Sequence, residues 1–324
     1  MPVRALAAWL LVAPFAAIAV VRLAGLERGW PLVQLVAYTP LFAAGAAVAA
    51  LLAALLRQRL PALVAAVVAI ALGAVVGPRA LGGADDADGP TLRVLTANLR
   101  DNPGAAPHFV ALVRRTRPDV VSLQEVSPRV LTALEAEGLL ERLPERVVPA
   151  WTGVPGNGLY ARLPLRRGAD PPGLSKLTPA ARMTIGGTRV EVVAVHPQAP
   201  ARRSHTPRWR ADLRALPPAT PDGPLRVLAG DFNATLDHAE LRRLLDTGYE
   251  DAADAVGAGL RATWPSGRRF PPPVTIDHVL VDERASVRGV TVHRVPRTDH
   301  RAVLAELVLP AAQASGGASS ARIP

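Results

Sequence analysis

Asp231 and Asn233 lie in the stretch Val-Leu-Ala-Gly-Asp-Phe-Asn at 227–233, an acid and an amide two residues apart at the end of an apolar run. In an extended segment residues i and i+2 point the same way, so both would face one site. Alone the pair is unremarkable, since Asp and Asn after a strand usually make a turn. It gains weight from similar endings nearby: Asn98, Glu125, His196, Asp277 and the pair Asp299-His300 each follow or begin an apolar run. For any one of them a cap or a turn is the ordinary reading. Six in one region look like a site for metal-dependent phosphoester chemistry, because hard cations prefer carboxylate oxygens.

The elements that must position these residues can be read from apolar runs and their breaks. Residues 92–99 (LRVLTANL) read as a strand ending at Asn98, and 109–117 as a helix stopped by Pro118. Residues 119–126 (DVVSLQEV) form a buried strand carrying Glu125 near its end, and 128–137 start a helix with Pro early. Residues 190–195 lead into His196-Pro197, 225–229 into Gly230-Asp231, and 239–245 form an amphipathic stretch. Residues 276–281 carry Asp277 at their start, while 287–295 and 302–309 flank Thr298-Asp299-His300. Strands and helices alternate at first and strands dominate later, which predicts an α/β sandwich of packed sheets. Strand ends at one edge of such a pair are natural places for ligands to converge.

The chain has 324 residues, a formal charge of +10, no cysteine and a single lysine, Lys176. Without cysteine, disulfides and thiolate metal sites are excluded. The positive field suits phosphate-bearing partners, either nucleic acid or an anionic lipid surface, although many soluble domains are merely basic. Apolar residues concentrate in the first eighty positions, in runs at 5–21, 32–56 and 60–76. Crossing a bilayer takes about 20 residues. Charges are confined to the breaks: Arg22, Glu27 and Arg28, then Arg57 and Arg59, then Arg79. A cleaved signal peptide would explain the first run but not the next two, and buried core helices would show a polar face. The expectation is three transmembrane helices and a multi-pass protein of the cell membrane. Arg57-Gln58-Arg59 is a tight basic hairpin, which places the N-terminus inside and the large domain outside the cytoplasm. The expected layout is a membrane domain at 1–80, a flexible linker at 81–90, a catalytic domain at 91–310 and a disordered tail at 311–324.

The order Thr-Ala-Asn98, Pro-Asp-Val-Val-Ser-Leu-Gln-Glu125, His196, Gly-Asp231-Phe-Asn233, Ile-Asp277-His and Thr-Asp299-His300 resembles the endonuclease/exonuclease/phosphatase superfamily, the DNase I-like enzymes. The resemblance implies a four-layer α/β/β/α sandwich and a site for Mg²⁺ or Mn²⁺. It implies that Glu125, Asp299 and Asn98 serve the metal. It implies that Asp231 orients and deprotonates water, that Asn233 and His196 hold the phosphate, and that His300, paired with Asp277, stabilises charge on the phosphoryl oxygens. Two positions depart from the family pattern: Arg100 stands where abasic-site endonucleases carry an acid, and Ala161 replaces a usual Ser in Ala161-Arg162-Leu163-Pro164. Three N-terminal helices before such a domain also resemble the VanJ-like bacterial membrane proteins.

Some residues keep two readings. Trp264, before Pro265, suits a loop beside substrate or a buried structural position; Arg202, Arg203, Arg208 and Arg210 suit a phosphate grip or a solvated helix face. His108, His205, His238, His278 and His293 are assigned no role in the chemistry. The function expected is a membrane-anchored, metal-dependent phosphoesterase. Its partners would be the bilayer and a phosphomonoester, phosphodiester or lipid-linked (di)phosphate, and no obligate protein partner is evident. A tethered nuclease is the alternative, and a receptor that keeps the fold without catalysis is a third.

Overall fold

A computed structural model describes residues 3–311; the tail expected to be disordered lies almost wholly outside the described residues. The N-terminal part is helical: α1 (Val3–Ala24), the short α2 (Leu32–Val36), α3 (Thr39–Leu55) and α4 (Arg59–Val76), the last prolonged by a tight turn, Gly77–Ala80. α1, α3 and α4 pack together around small residues, with Phe15 and Phe42 meeting edge to face at 6.2 Å.

Two of these helices, Val3–Ala24 and Arg59–Ala80, are long and apolar enough to cross a membrane. The third apolar run gives the shorter helix α3. The run at 32–56 does not form one helix, because Pro40 cannot continue one begun earlier but suits the first turn of a new one. α3 keeps 17 residues, which rise about 26 Å against a hydrocarbon core of about 30 Å. Outward side chains on the helices are apolar and open: Leu10 is 67% exposed and Ile70 71%.

The remainder builds two six-stranded sheets. In chain order come β1 (Thr91–Asn98), α5 (Ala106–Thr116), β2 (Val120–Val126), α6 (Pro128–Ala136), α7 (Leu139–Arg142), β3 (Glu145–Val147), β4 (Gly156–Ala161), β5 (Arg166–Arg167), β6 (Ala180–Ile185) and β7 (Thr188–Val195). Then follow α8 (Thr206–Ala215), β8 (Leu225–Asp231), α9 (Ala239–Leu245), β9 (Tyr249–Asp251), α10 (Ala252–Ala255), β10 (Asp277–Asp282), β11 (Ser286–Arg294) and β12 (Arg301–Val308). One sheet runs β11-β12-β1-β2-β4-β3, the other β5-β6-β7-β8-β10-β9. Valines and alanines of both inner faces form the central core. α5, α6 and α7 cover the first sheet and α8 and α9 the second, giving the expected four layers.

Among the described residues, only β1–β2 and β7–β8 pair in parallel. These four strands therefore end at one edge, and antiparallel β10 and β12 start there, with Asp277 opposite Asp231. A polar ladder stitches the sheets just below that edge: Ser122 donates to the Ala229 carbonyl, and Gln124 links Ser122 to Thr96.

The helical part is docked on the second sheet. Arg22 at the end of α1 and Arg79 after α4 both donate to the buried Asp237, each at 2.8 Å. The Ala239 amide donates to Glu27, and His238 Nε2 donates to the Val33 carbonyl at 2.8 Å. Residues 81–90 form no helix or strand, and the Asp85 amide donates to the Val287 carbonyl at 3.0 Å.

Candidate active site

Every residue singled out at the strand ends comes to this edge. Asn98 ends β1 and bridges the sheets, its Nδ2 donating to Glu125 Oε1 at 3.1 Å and to Asp231 Oδ2 at 3.0 Å. Its own Oδ1 accepts from the Arg100 amide at 2.9 Å, which fixes the orientation. Glu125 arrives by a less regular route. Strand alternation would aim it, like Leu123, at the helical layer. A break in the β2–β4 register and a left-handed backbone (φ +52°) turn it back toward Asn98. Arg100, Asp101 and Asn233 share the left-handed conformation, with φ between +46° and +53°. Such strain costs on the order of 1–3 kcal/mol per residue and clusters at functional sites.

Asp231 is buried at the end of β8. The Asn233 amide donates to its Oδ1 at 2.8 Å, so acid and amide face one site through a turn rather than along a strand. Gly230 before it is obligatory, since a Cβ there would lie 1.9 Å from the Val195 carbonyl oxygen. His300 donates from Nδ1 to Asp277 at 2.9 Å and points Nε2 at Asp231 Oδ2, 3.7 Å away. Burial alone would lower the His300 pKa, but Asp277 and Asp231 push it up to about 10, so the ring is cationic at neutral pH. Burial, reinforced by Asp277, raises Asp231 to about 6 despite the His300 charge. One ligand atom each from Asp231, Asp277 and His300 lie within 4.8 Å of one another.

His196 follows β7, buried, with Nε2 3.6 Å from Glu125 and 3.8 Å from Asp231. Burial, then the charges of Lys176 and His300, hold its pKa well below the ordinary value and keep it neutral. Lys176 was not visible as a site residue, since it lies in a loop without a motif. Its ammonium sits 3.1–3.2 Å from both ring nitrogens of His196. Burial lowers its pKa, opposed by Asp231, Glu125 and Asp212. Asp212 on α8 fastens both loops, accepting from the amides of Ser175 and Gln198 at 2.9 Å. Asp299 accepts from Trp264 Nε1 at 3.2 Å and lies 3.7 Å from Arg100, so the half-buried Trp264 belongs to the site.

Residues 95–300 match the model of the Endonuclease/Exonuclease/phosphatase family. The chain belongs to that family. A truncated Caenorhabditis elegans TDP2 structure is similar over 67% of this chain and 98% of that one, at 18% identity and TM-score 0.54. D. rerio TDP2 complexed with single strand DNA product is similar over 67% and 98%, at 16% identity and TM-score 0.52. An endonuclease/exonuclease/phosphatase from Beutenbergia cavernae aligns over 68% and 72%, at 21% identity and TM-score 0.50. No curated protein matches the chain.

Membership in the endonuclease/exonuclease/phosphatase family makes the chain a phosphoric ester hydrolase of a divalent-metal-dependent kind. Both departures from the family pattern find a place. Ala161 pairs with Val120 at the far end of β2, away from Glu125. Arg100 faces Asp299. The arginines near His196 are not a phosphate grip as a group: Arg208 pairs with Asp212, and Arg210 with Glu240. His278 is structural, donating to Asp251 at 2.7 Å and to the Ala234 carbonyl at 2.9 Å.

Proposed function

We propose that the protein is a membrane-anchored phosphoesterase that cleaves a phosphate ester by in-line attack of water. The observation that carries this reading is the line Asp277–His300–Asp231, a buried imidazolium held by one carboxylate and aimed at another. Asp231 is mostly ionised at neutral pH yet basic enough to take the proton of an attacking water. The His300 cation faces charge developing on the phosphoryl oxygens. Lys176, neutral His196 and Asn233 hold the other oxygens by donation.

The donor set fits a hard divalent ion. Glu125 and Asp299 offer carboxylate oxygens at the pocket surface, and Asn98 sets the Glu125 side chain. His300 is no ligand, because its Nδ1 is committed to Asp277 and the ring keeps its proton. A bound Mg²⁺ or Mn²⁺ would supply Lewis acidity toward a phosphoryl oxygen. Glu125→Ala is then expected to raise the Mn²⁺ concentration for half-maximal rate by about tenfold or more, the scale of losses around metal sites. The reading itself is tested with purified full-length protein and a chromogenic phosphodiester. Rates in Mg²⁺ or Mn²⁺ should vanish in EDTA, and metal-independent hydrolysis would sink the proposal.

In this reading all three apolar helices cross the bilayer, with α3 as the shortest. The N-terminus lies inside and the large domain outside, supported by the basic hairpin Arg57-Gln58-Arg59. The natural absence of cysteine makes a clean test: a single Glu141→Cys, at an exposed position, should react with an impermeant maleimide on intact cells. A tethered nuclease is the second reading, favoured by the single strand DNA product held by D. rerio TDP2. Plasmid DNA offered beside lipid phosphates separates the two.

A further inference from the structure

The cavity that holds the site, about 690 Å³, has two unlike halves. One is the polar floor of Glu125, Lys176, His196, Asp231, Asp299 and His300. The other includes Val33, Gln34, Ala37 and Tyr38, from the segment that joins the two apolar helices α1 and α3. Facing them are Pro200, Pro271, Val274 and Ile276. A wall of this kind offers almost no hydrogen bonds to a sugar or a base. Its polar groups are few: the Tyr38 hydroxyl, and the Gln34 amide, which donates to the Pro200 carbonyl and leaves its buried Oε1 without a partner.

The wall is not a loose flap. Val33 is buried with Trp209 and Leu241, and its carbonyl is held by His238. Residues close in the chain to the lining suit a bilayer interface. Trp30 is 54% exposed just before α2, and Phe270, beside the lining Pro271, is 83% exposed. Arg268 and Arg269 precede Phe270, and Arg268 lies over the Trp264 ring at 5.8 Å. Aromatic side chains flanked by arginines belong at headgroup level.

We infer that this cavity is a lipid subsite: a membrane lipid presents its phosphate ester to Lys176, His196 and His300 while its hydrocarbon chain lies along Ala37, Tyr38 and Val274. The inference rests on the phosphoesterase reading and names its substrate class. Gln34 Oε1 accepts from a hydroxyl of the headgroup. The substrate enters sideways from the bilayer, because the segment that lines the pocket is continuous with the helices in it.

The test uses the full chain in detergent with Mn²⁺ and p-nitrophenyl phosphodiesters whose second ester group is methyl, hexyl or dodecyl. kcat/KM should rise at least about tenfold from methyl to dodecyl, since burying each methylene is favourable. Ala37→Trp should lower the dodecyl-to-methyl ratio by about tenfold. A dodecyl phosphate bearing a diazirine on its chain, used in EDTA, should label the peptide between Arg28 and Arg57, and unlabelled dodecyl phosphate should compete. Equal rates across the series, or plasmid DNA as the better substrate, with that peptide unlabelled, would overturn the lipid subsite and leave the hydrolase. No hydrolysis of any ester would overturn the phosphoesterase reading, and the labelling would still decide the subsite.

Discussion

Asp231→Asn is expected to lower kcat/KM by about 10² or more, and His300→Ala by a similar factor, with little change in fold. These are the scales on which a lost general base or a lost charge at the transition state is felt. Asparagine keeps the shape at 231, but it cannot take a proton from water. Its single oxygen can accept from either the Asn233 amide or Asn98 Nδ2, whereas the carboxylate accepts from both, at 2.8 and 3.0 Å. Removing His300 takes away the ring that donates to the buried Asp277 carboxylate, and strips the cation facing Asp231.

Because the two residues act as one unit, the double variant should cost little more than the worse single one, as groups sharing one step are strongly non-additive. Single-turnover rates on the chromogenic phosphodiester, with melting curves to check folding, measure this. Near-wild-type rates in either variant would remove that residue from the chemistry, and losses that multiply in the double variant would show that the two do not act as one unit.

Most of the site was legible in sequence because it is built on strand ends, where an apolar run stops at one polar residue. Asn98, His196 and Asp231 follow that rule, and Asp277 its mirror image at the start of a run. Glu125 is legible by identity but not by geometry, since alternation aims it away and only the register break returns it. Lys176 carried no signal: it sits in a loop, and its place depends on Asp212, 36 positions later in the chain, through the amide of the preceding Ser175. The helices were legible as apolar runs, whereas the division of 32–56 hinged on a single proline. That α2 lines the pocket could not be read at all, because it follows from how the helical part docks on the second sheet.

That docking makes the last strong prediction. Arg22, Arg79 and Asp237 have side chains only 7%, 7% and 1% exposed, a buried ionic cluster that joins the ends of α1 and α4 to the segment before α9. Asp237→Ala would leave two buried guanidinium groups without their carboxylate, and breaking a buried pair in this way costs about 3–5 kcal/mol. The thermal transition of the detergent-solubilised protein should fall accordingly. Replacing the whole cluster, Arg22→Met with Arg79→Met and Asp237→Leu, should recover most of the loss, since apolar side chains of similar volume often substitute for a buried ionic cluster without penalty. The pH dependence has a definite sign. Burial would raise the Asp237 pKa, but hydrogen bonds and charge from Arg79 and Arg22 outweigh it and hold it below the ordinary carboxylate value. The stability it contributes is therefore complete above the unfolded value of about 3.9 and is lost as pH falls through the lower folded one. Asp237→Ala should flatten that acid limb. Since α2 hangs between α1 and α3, a loosened dock should also displace the pocket wall and lower activity on dodecyl esters more than on methyl esters. An unchanged transition in Asp237→Ala would mean that His238, Glu27 and the packing of Val33 suffice to hold the helices, and that the ionic cluster only sets their register.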